Sequence, residues 1–250
     1  MARSKRIILT ALLAVLLAAL PLPARCDDTG LIVGAGVEHK FSRKLSVEGG
    51  VEMRTRNDFR TMDRWTVELG AEYKLLRPLK IGAGYSLLVD NNPEKLSYNP
   101  NGSYNNWRPS YWGTRHRVHV DLTGSYSPGR FKLSLRERWQ YTWRPEHTTD
   151  RYDFDNAHWE DTRVHGKGKN VLRSRFKVDY DIAGCKVDPT ASVELFNAWS
   201  LQKVRMQAGV DYTIRKTHSF ELFYRYQHVR NDSDDESNIH MIGLEYKFKF

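Results

Sequence analysis

Residues 239–250 read I-H-M-I-G-L-E-Y-K-F-K-F and end the sequence. From Ile242 onward every second residue is apolar or aromatic, and the residues between them are mostly small or charged. A period of two places these two sets on opposite faces of a β-strand. The stretch therefore predicts an amphipathic strand that ends on the aromatic ring of Phe250.

This strand resembles the closing strand of bacterial outer-membrane barrels and the insertion signal that it carries. The side chains that carry the resemblance are Leu244, Tyr246, Phe248 and Phe250. The resemblance implies that the barrel-assembly machinery is a partner during insertion. It also implies that the earlier segments are strands of one closed sheet.

Ten earlier segments show the same alternation, each over about 10 residues, the length that a tilted membrane strand needs. Their alternating apolar sets begin at Leu31, Leu45, Trp65, Leu79, Val118, Phe131, Leu172, Ala191, Val204 and Phe220. The pattern predicts an all-β fold, an antiparallel up-and-down transmembrane β-barrel of about 10–12 strands. Single-chain bacterial barrels use even strand numbers, and a count of eleven, taken literally, would start the first strand at the outer end. The odd count therefore predicts a hidden strand, a miscalled hairpin or a first segment that is not a wall strand as drawn, and the parity stays open.

The connections between segments differ in length at the two ends of the predicted barrel. One end has short turns, at residues 42–44, 77–78, 127–129, 184–188 and 215–217. The other end has mostly longer loops, of which 90–112 and 144–170 are the longest, and 55–62 is a shorter one. Tight periplasmic turns and long outer loops are typical of outer-membrane barrels. A secreted β-sandwich is the alternative, but it does not require short turns on one side.

The N-terminal residues 1–26 have the organisation of an export signal. A basic start precedes an apolar stretch at 7–20, two prolines and small residues. Cleavage is expected after Cys26, or alternatively after Ala24, which leaves 27–250 as the barrel. Acylation of Cys26 as a lipoprotein is disfavoured because an arginine stands directly before it.

The composition excludes several classes of protein. An apolar content of 40% is too low for a helical membrane protein, whereas a barrel needs apolar residues only on its outward face. The formal charge of +9 includes four basic residues of the signal, and the remaining basic residues alternate with acids. No nucleic-acid partner is expected. With only Cys26 and Cys185 present, no cysteine metal site and no cofactor are predicted.

Several strand sequences, taken in order, are similar to one bacterial barrel family. They are W-T-V-E-L-G-A-E-Y-K (65–74), L-K-I-G-A-G-Y (79–85), R-H-R-V-H-V-D-L (115–122), R-F-K-L-S-L-R (130–136), A-S-V-E-L-F (191–196), F-E-L-F-Y (220–224) and N-I-H-M-I-G-L-E-Y (238–246). The family is the one catalogued as domain of unknown function 2490. The resemblance implies an outer-membrane location with lipids and lipopolysaccharide as surroundings, and it implies no activity and no site.

The inward-facing charges are divided between early and late strands. The early strands carry Glu38, Glu48, Glu52, Glu68 and Glu72; the later ones carry Arg115, Arg117, Arg136, Arg138, Arg173, Arg175, Lys177, Arg205 and Arg225. One interpretation is a narrow channel with an acidic and a basic wall, which selects small polar or zwitterionic solutes. The other is a lumen closed by Arg–Glu pairs, which the narrow interior of a small barrel favours.

No group of residues points to catalysis. A barrel lipase or lipid A-modifying enzyme needs a serine beside a histidine, yet His119 and Ser125 are six positions apart, about 20 Å along a strand. His147, His158 and His165 have no serine motif near them. No enzyme is therefore expected, and a surface-interaction role remains an alternative to the channel.

Two loop features have a structural and a functional interpretation. Asp232, Asp234, Asp235 and Glu236 form an acidic loop, which is expected to be solvated rather than a Ca²⁺ site. The aromatic residues of 98–112 are expected to anchor the loop at the membrane interface rather than to stack on sugars.

Overall fold

The computed structural model describes residues 27–231 and 236–250. The predicted export signal and its cleavage site lie outside the described residues, as do Asp232, Asp234 and Asp235 of the acidic loop. Within the described part of the chain, no helix is long and apolar enough to cross a membrane.

Eleven strands form one closed barrel, as the alternation predicts. In chain order they are β1 (Asp28–Lys40), β2 (Leu45–Arg56), β3 (Thr61–Lys74), β4 (Leu79–Asn92), β7 (Tyr111–Tyr126), β8 (Phe131–Arg144), β11 (Lys167–Tyr180), β12 (Val187–Asn197), β13 (Leu201–Ile214), β14 (His218–Val229) and β15 (Ile239–Lys249). Each strand pairs with its sequence neighbour within this set, so the fold is an up-and-down barrel. The predicted fold class is confirmed.

The odd strand number is explained by the closing pair. β1 and β15 run parallel, in continuous register from Asp28 opposite Ile239 to Glu38 opposite Lys249. All other neighbouring strands of the barrel are antiparallel. The first strand therefore starts at the end with the long loops, and the described residues contain no twelfth wall strand.

Apolar side chains cover the parallel pair β1–β15 on its lumen side. Ile32, Phe223, Ile239 and Met241 form a buried apolar cluster there. A Cβ on Gly243 would lie 2.0 Å from the ring of Phe223, so only glycine lets the ring occupy this position. The cluster fills part of the lumen with apolar atoms along the parallel pair.

The two long loops are not irregular, which corrects the prediction for 90–112 and 144–170. They contain strands β5 (Lys95–Tyr98), β6 (Tyr104–Arg108), β9 (His147–Asp153) and β10 (His158–Val164). These form a second sheet, here called the outer sheet, in the order β10-β9-β6-β5. This order repeats that of β11, β8, β7 and β4 in the barrel, so each outer strand continues a wall strand.

A break of two residues separates each wall strand from its continuation. Three of the four breaks contain a proline, at Pro93, Pro109 and Pro145, and the fourth contains Gly166. Proline cannot donate a hydrogen bond to a sheet, so it ends the ladder of the barrel at this level. The outer strands are only four to seven residues long, too short for a clear period of two.

The connection predicted at 55–62 is shorter than expected. β2 continues to Arg56 and β3 starts at Thr61, which leaves a turn of four residues. Asn57, Asp58 and Phe59 all have positive φ angles in this turn. Such angles are uncommon for a phenylalanine, and a sequence pattern does not reveal them.

The barrel wall is apolar outside and polar inside. The outward residues Leu69, Leu122 and Trp139 are 60%, 47% and 48% exposed, whereas the inward residues Ser86 and His119 are 3% and 5% exposed. A soluble domain has the reverse arrangement. The outward apolar face is that of a strand wall that borders lipid.

Candidate functional site in the barrel lumen

Two cavities of the lumen lie one behind the other along the barrel, besides one of about 100 Å³ that adjoins the outer one. The larger, called the inner chamber, has a volume of about 730 Å³ and extends to the ends of the strands at the short turns. The smaller, called the outer chamber, has a volume of about 130 Å³ and lies below the outer sheet, at the other ends of the strands. Both are lined by the polar inward face of the wall.

Five residues line both chambers, and all of them are arginines. They are Arg54, Arg64, Arg117, Arg173 and Arg205. They come from β2, β3, β7, β11 and β13, and are therefore distributed around the wall. We call this set the arginine girdle, because it forms the boundary between the two chambers.

One buried glutamate supports two residues of the girdle. Glu194 is 4% exposed. Arg173 donates hydrogen bonds to it at 2.9 Å, and Arg205 approaches its other oxygen at 3.5 Å. Arg136 donates a further hydrogen bond at 2.8 Å. A single carboxylate thus holds three guanidinium groups, and a buried charge of this kind is stable only because it is paired.

An aromatic ring supports the same part of the girdle. The guanidinium groups of Arg173 and Arg205 lie 4.7 and 4.8 Å from the ring centroid of Phe196, and the Lys203 ammonium lies 5.0 Å from it. Cations at this distance are attracted by the electrons of the ring face. The ring face of Phe196 therefore supplies part of the attraction that a second carboxylate would otherwise give these cations.

The charges of the inner chamber are balanced. Apart from the girdle, nine basic and nine acidic side chains line it. Many of them are paired: Arg138 donates two hydrogen bonds of 2.6 Å to Asp121, and Lys247 donates one of 2.9 Å to Glu48. Paired charges of this kind satisfy one another across a narrow lumen.

The outer chamber is strongly cationic. Ten arginine and lysine side chains line it, with two carboxylates, Asp90 and Glu236. Asp90 is shared by Arg64 and Arg115, with the Arg115 Nε–Oδ2 distance at 2.6 Å. Arg117 donates one hydrogen bond, of 3.1 Å, to the hydroxyl of Thr142.

Glu236 corrects the prediction of a fully solvated acidic loop. Its carboxylate accepts hydrogen bonds from Lys203 and from Gln227, the latter at 3.0 Å. Burial opposes its charged form most, but the attraction of Lys203, Arg64 and Arg115, together with the hydrogen bond from Lys203, holds the pKa of Glu236 well below its usual range. Glu236 is therefore an anion inside the mouth of the lumen.

The predicted lumen residues lie at different levels of the barrel. Glu48, Glu52, Glu68, Arg117, Arg136, Arg138, Arg173, Arg175, Lys177, Arg205 and Arg225 line the inner chamber, and Arg115 lines the outer chamber. Glu72 lines neither and pairs with Lys80 at 2.5 Å. The residues of the predicted insertion signal lie on β15 and at Phe250, where Leu244 and Phe250 are 46% and 59% exposed.

The expected division into an acidic and a basic wall is incomplete. Arg54 and Arg64 stand on early strands, and Glu221 and Glu245 line the inner chamber from late strands. The main difference in charge therefore lies along the axis, between the two chambers. Arg54 lies on the same face of β2 as the inward residues Glu48 and Glu52. The alternation in the sequence therefore predicts that Arg54 faces the lumen.

The histidines have structural partners. His116 shares a hydrogen bond of 2.7 Å with the Tyr85 hydroxyl, and His240 one of 2.5 Å with that of Tyr224. In residues 27–231 and 236–250, no serine or threonine hydroxyl is hydrogen-bonded to a histidine ring. The same residues contain no group of His, Cys, Asp or Glu side chains that could hold a metal ion.

Aromatic side chains form a connected surface on the outer sheet. The ring centroids of Tyr98 and Tyr104 are 5.5 Å apart, and those of Trp107 and Trp159 are 5.6 Å apart. Tyr98, Tyr104 and Trp159 are more than half exposed. Both predicted roles, anchoring at the membrane and stacking on sugars, remain predictions.

Residues 32–238 match the model of a family described as "Protein of unknown function (DUF2490)". The chain belongs to this family. The match runs from within β1 to the residue before β15 and includes both long insertions that form the outer sheet. No curated protein matches the DUF2490 chain significantly.

Solved structures with a similar fold are bacterial membrane barrels. The β domain of the Bordetella autotransporter BrkA has 14% sequence identity and a TM-score of 0.51, with 83% of this chain and 82% of that chain covered. A NanC porin has 14% identity and a TM-score of 0.44, with 84% and 93% covered. The CymD monoaromatic hydrocarbon channel has 9% identity and a TM-score of 0.41, with 76% and 66% covered. At this level of identity, the BrkA likeness shows the barrel fold alone.

Proposed function

We propose that this DUF2490 protein is an outer-membrane barrel that conducts small polar solutes, with the arginine girdle as its constriction. The observation that carries the proposal is that the same five arginines line both chambers. A solute that leaves one chamber for the other passes these side chains. The apolar outward wall and the likeness to outer-membrane barrels support the location.

The alternative is a lumen closed by paired charges, and two observations argue against it. The inner chamber of about 730 Å³ has room for many water molecules of about 30 Å³ each. In addition, the Nε atoms of Arg54, Arg136, Arg175 and Arg205 are buried without a hydrogen-bond partner. Buried polar groups are nearly always hydrogen-bonded, so the ion pairs among the described residues do not satisfy every guanidinium group of the lumen, as a lumen closed by paired charges would require.

The test is single-channel conductance of the refolded mature chain in planar bilayers. A band that migrates differently after boiling identifies the folded barrel before the measurement. Stable conductance steps are expected, and Arg136→Ala or Arg138→Ala should alter the ion selectivity. Arg163→Ala on the exposed outer sheet is the control and should leave the currents unchanged. A folded, inserted and silent protein would overturn the proposal.

A surface-interaction role is the second candidate, and the exposed aromatic residues of the outer sheet favour it. We keep a barrel lipase as the least supported alternative, because no serine–histidine pair in residues 27–231 and 236–250 supports it. In every case we expect the outward wall to contact outer-membrane lipids and lipopolysaccharide. Binding of lipopolysaccharide or surface glycans by a chain that gives no conductance would favour the second candidate.

A further inference from the structure

We infer that the outer sheet binds the saccharide part of the surrounding lipopolysaccharide through a set of six aromatic side chains, here called the aromatic face. They are Tyr98, Tyr104, Trp107, Tyr152, Phe154 and Trp159. The inference rests on the proposed outer-membrane location and not on conduction. It goes beyond a general surface role, because it names the partner, its chemistry and the side of the sheet that binds it.

The lower part of the aromatic face is one row of residues across the outer sheet. Leu96, Trp107, Tyr152 and Trp159 stand opposite one another in the register from β5 to β10, one on each strand. The ring centroids of Tyr152 and Trp159 are 5.3 Å apart, and those of Trp107 and Trp159 are 5.6 Å apart. The row is therefore a continuous apolar strip across all four strands.

The upper part extends this strip towards the tip of the sheet. The ring of Phe154 lies 5.1 Å from that of Tyr152 and 5.3 Å from that of Tyr104, which lies 5.5 Å from that of Tyr98. Tyr98 and Tyr104 are more than half exposed. Single exposed apolar residues are ordinary, but a contiguous exposed patch marks an interaction surface.

Two ring contacts identify the lumen side of the outer sheet. Asn92 lines the outer chamber and stands opposite Tyr111 in the register of β4 and β7, so Tyr111 lies on the lumen side. The Arg108 guanidinium lies 5.1 Å from the ring centroid of Tyr111, and the His147 ring stacks on it at 5.1 Å. Arg108 of β6 and His147 of β9 therefore mark the lumen side.

The aromatic face lies on the opposite side of the sheet. Trp107 directly precedes Arg108, and Tyr152 is five residues after His147. Because successive side chains of a strand alternate between its two sides, both rings point away from the barrel axis. Their position opposite each other in the register of β6 and β9 agrees with a shared side. The face is therefore directed towards the membrane leaflet around the barrel and not into the mouth of the lumen.

The wall reaches the limit of the hydrocarbon before the outer sheet begins. On β8 the outward residues run from Phe131 to Trp143, both about half exposed. Twelve residues of strand span about 40 Å, and at a tilt of about 40° they cross about 30 Å, the thickness of the hydrocarbon core. Tyr152 is nine residues beyond Trp143, or about 30 Å of extended chain. The interfacial layer adds only about 5–8 Å on each side, so the aromatic face lies beyond the level of an interfacial anchor.

A saccharide matches the chemistry of this surface. The C–H groups on one side of a sugar ring fit against the negative face of an aromatic ring, and sugar hydroxyls hydrogen-bond to amides and carboxylates. Such groups border the upper rings, where Asn99 donates a hydrogen bond of 3.1 Å to Asp155, and Asn101 and Asn156 are exposed. An acyl chain would leave these polar groups without partners. The outer leaflet of the outer membrane supplies saccharide at this level through its lipopolysaccharide.

The test is isothermal titration of the refolded mature chain in detergent with the core oligosaccharide that mild acid releases from lipopolysaccharide. Saturable binding is expected, with the affinity lowered about three- to tenfold in Trp159→Ala and in Tyr104→Ala, the loss of one stacked ring. Trp159→Phe keeps an aromatic face and should retain most of the affinity. Trp139→Ala is the matched control, because Trp139 and Trp159 are 48% and 53% exposed but Trp139 lies on the wall; it should bind as the wild type does.

Bilayers of phospholipid with brominated acyl chains test the level of the face independently. Bromine quenches tryptophan fluorescence inside the hydrocarbon. Trp139→Phe should therefore remove quenched emission, whereas Trp159→Phe should remove emission that the bromine does not reach. Quenching of Trp159 to the same extent as Trp139 would place the face in the membrane and overturn the inference in favour of anchoring.

Equal affinity of the wild type, Trp159→Ala and Tyr104→Ala would overturn the inference, and so would the absence of saturable binding in a folded barrel. Equal affinity for maltohexaose, an oligosaccharide of glucose alone, would overturn the assignment to lipopolysaccharide. Conductance without oligosaccharide binding would reject this site and leave the proposed pore intact. Oligosaccharide binding by a silent barrel would support the site and reject the pore.

Discussion

The two chambers of the lumen use the same kinds of residue in different proportions. Apart from the girdle, the inner chamber has nine basic and nine acidic side chains, whereas the outer chamber has five basic and two acidic ones. The inner chamber can satisfy its charges within the protein. Among the described residues that line the outer chamber, basic side chains outnumber carboxylates.

This difference separates structural charges from charges that are available to a solute. A paired lumen arginine holds two strands in position, and its removal leaves a buried carboxylate without a partner. An unpaired one contributes little to the folded state but strongly to the field in the lumen. Replacement of a paired arginine should therefore lower the stability of the barrel, whereas replacement of an unpaired one should leave it unchanged or raise it.

The largest effect is expected for Glu194→Gln. Three arginines lose the carboxylate that they share, and breaking a buried ionic cluster costs about 3–5 kcal/mol. The measurement is urea unfolding of the folded barrel in detergent, followed by tryptophan fluorescence. Glu146→Gln, an exposed pair with Arg163 on the outer sheet, is the control and should change stability by less than about 0.5 kcal/mol. Equal effects for the two variants would contradict the structural role of Glu194.

The second prediction compares an arginine of the inner chamber with one of the girdle. Arg138→Gln leaves Asp121 without its two hydrogen bonds and should cost about 3 kcal/mol of stability. Arg117→Gln removes a charge with no carboxylate partner, so the variant should be within about 0.5 kcal/mol of the wild type or more stable. Both are measured by the same urea unfolding. If Arg117→Gln is the more destabilising variant, the distinction between paired and available charges is wrong.

The sequence predicts the wall of the barrel well, because the period of two within each wall strand separates the outward residues from the inward ones. The segments that begin at Trp65 and Leu79 have an uninterrupted period of two, and both are confirmed as strands. The same alternation identifies Arg117 and Arg205 as inward residues. It does not show that they share one level, since that depends on the stagger between strands that are far apart in the chain.

Other features depend on contacts that no local pattern contains. The outer sheet is built from strands as short as 95–98, and the pairing of β6 with β9 joins two insertions that are far apart in the chain. The parallel closure of β1 on β15 follows from the odd strand count but cannot be distinguished in the sequence from a missed strand. Glu236 resembles its acidic neighbours in the sequence, and only the position of Lys203 makes it a lumen residue.

The smallest predicted effect is the pH dependence contributed by Glu236. Its pKa in the folded protein lies well below the ordinary value of 4.5, so the folded state binds its proton less tightly than the unfolded state does. Glu236 therefore contributes stability at pH values above 4.5, and this contribution is lost as the pH falls towards the folded pKa. Unfolding of the wild type and of Glu236→Gln should differ most near neutral pH, and the difference should shrink below pH 4.5. A difference between the two chains that stays constant with pH would contradict the ionic pairing of Glu236 with Lys203.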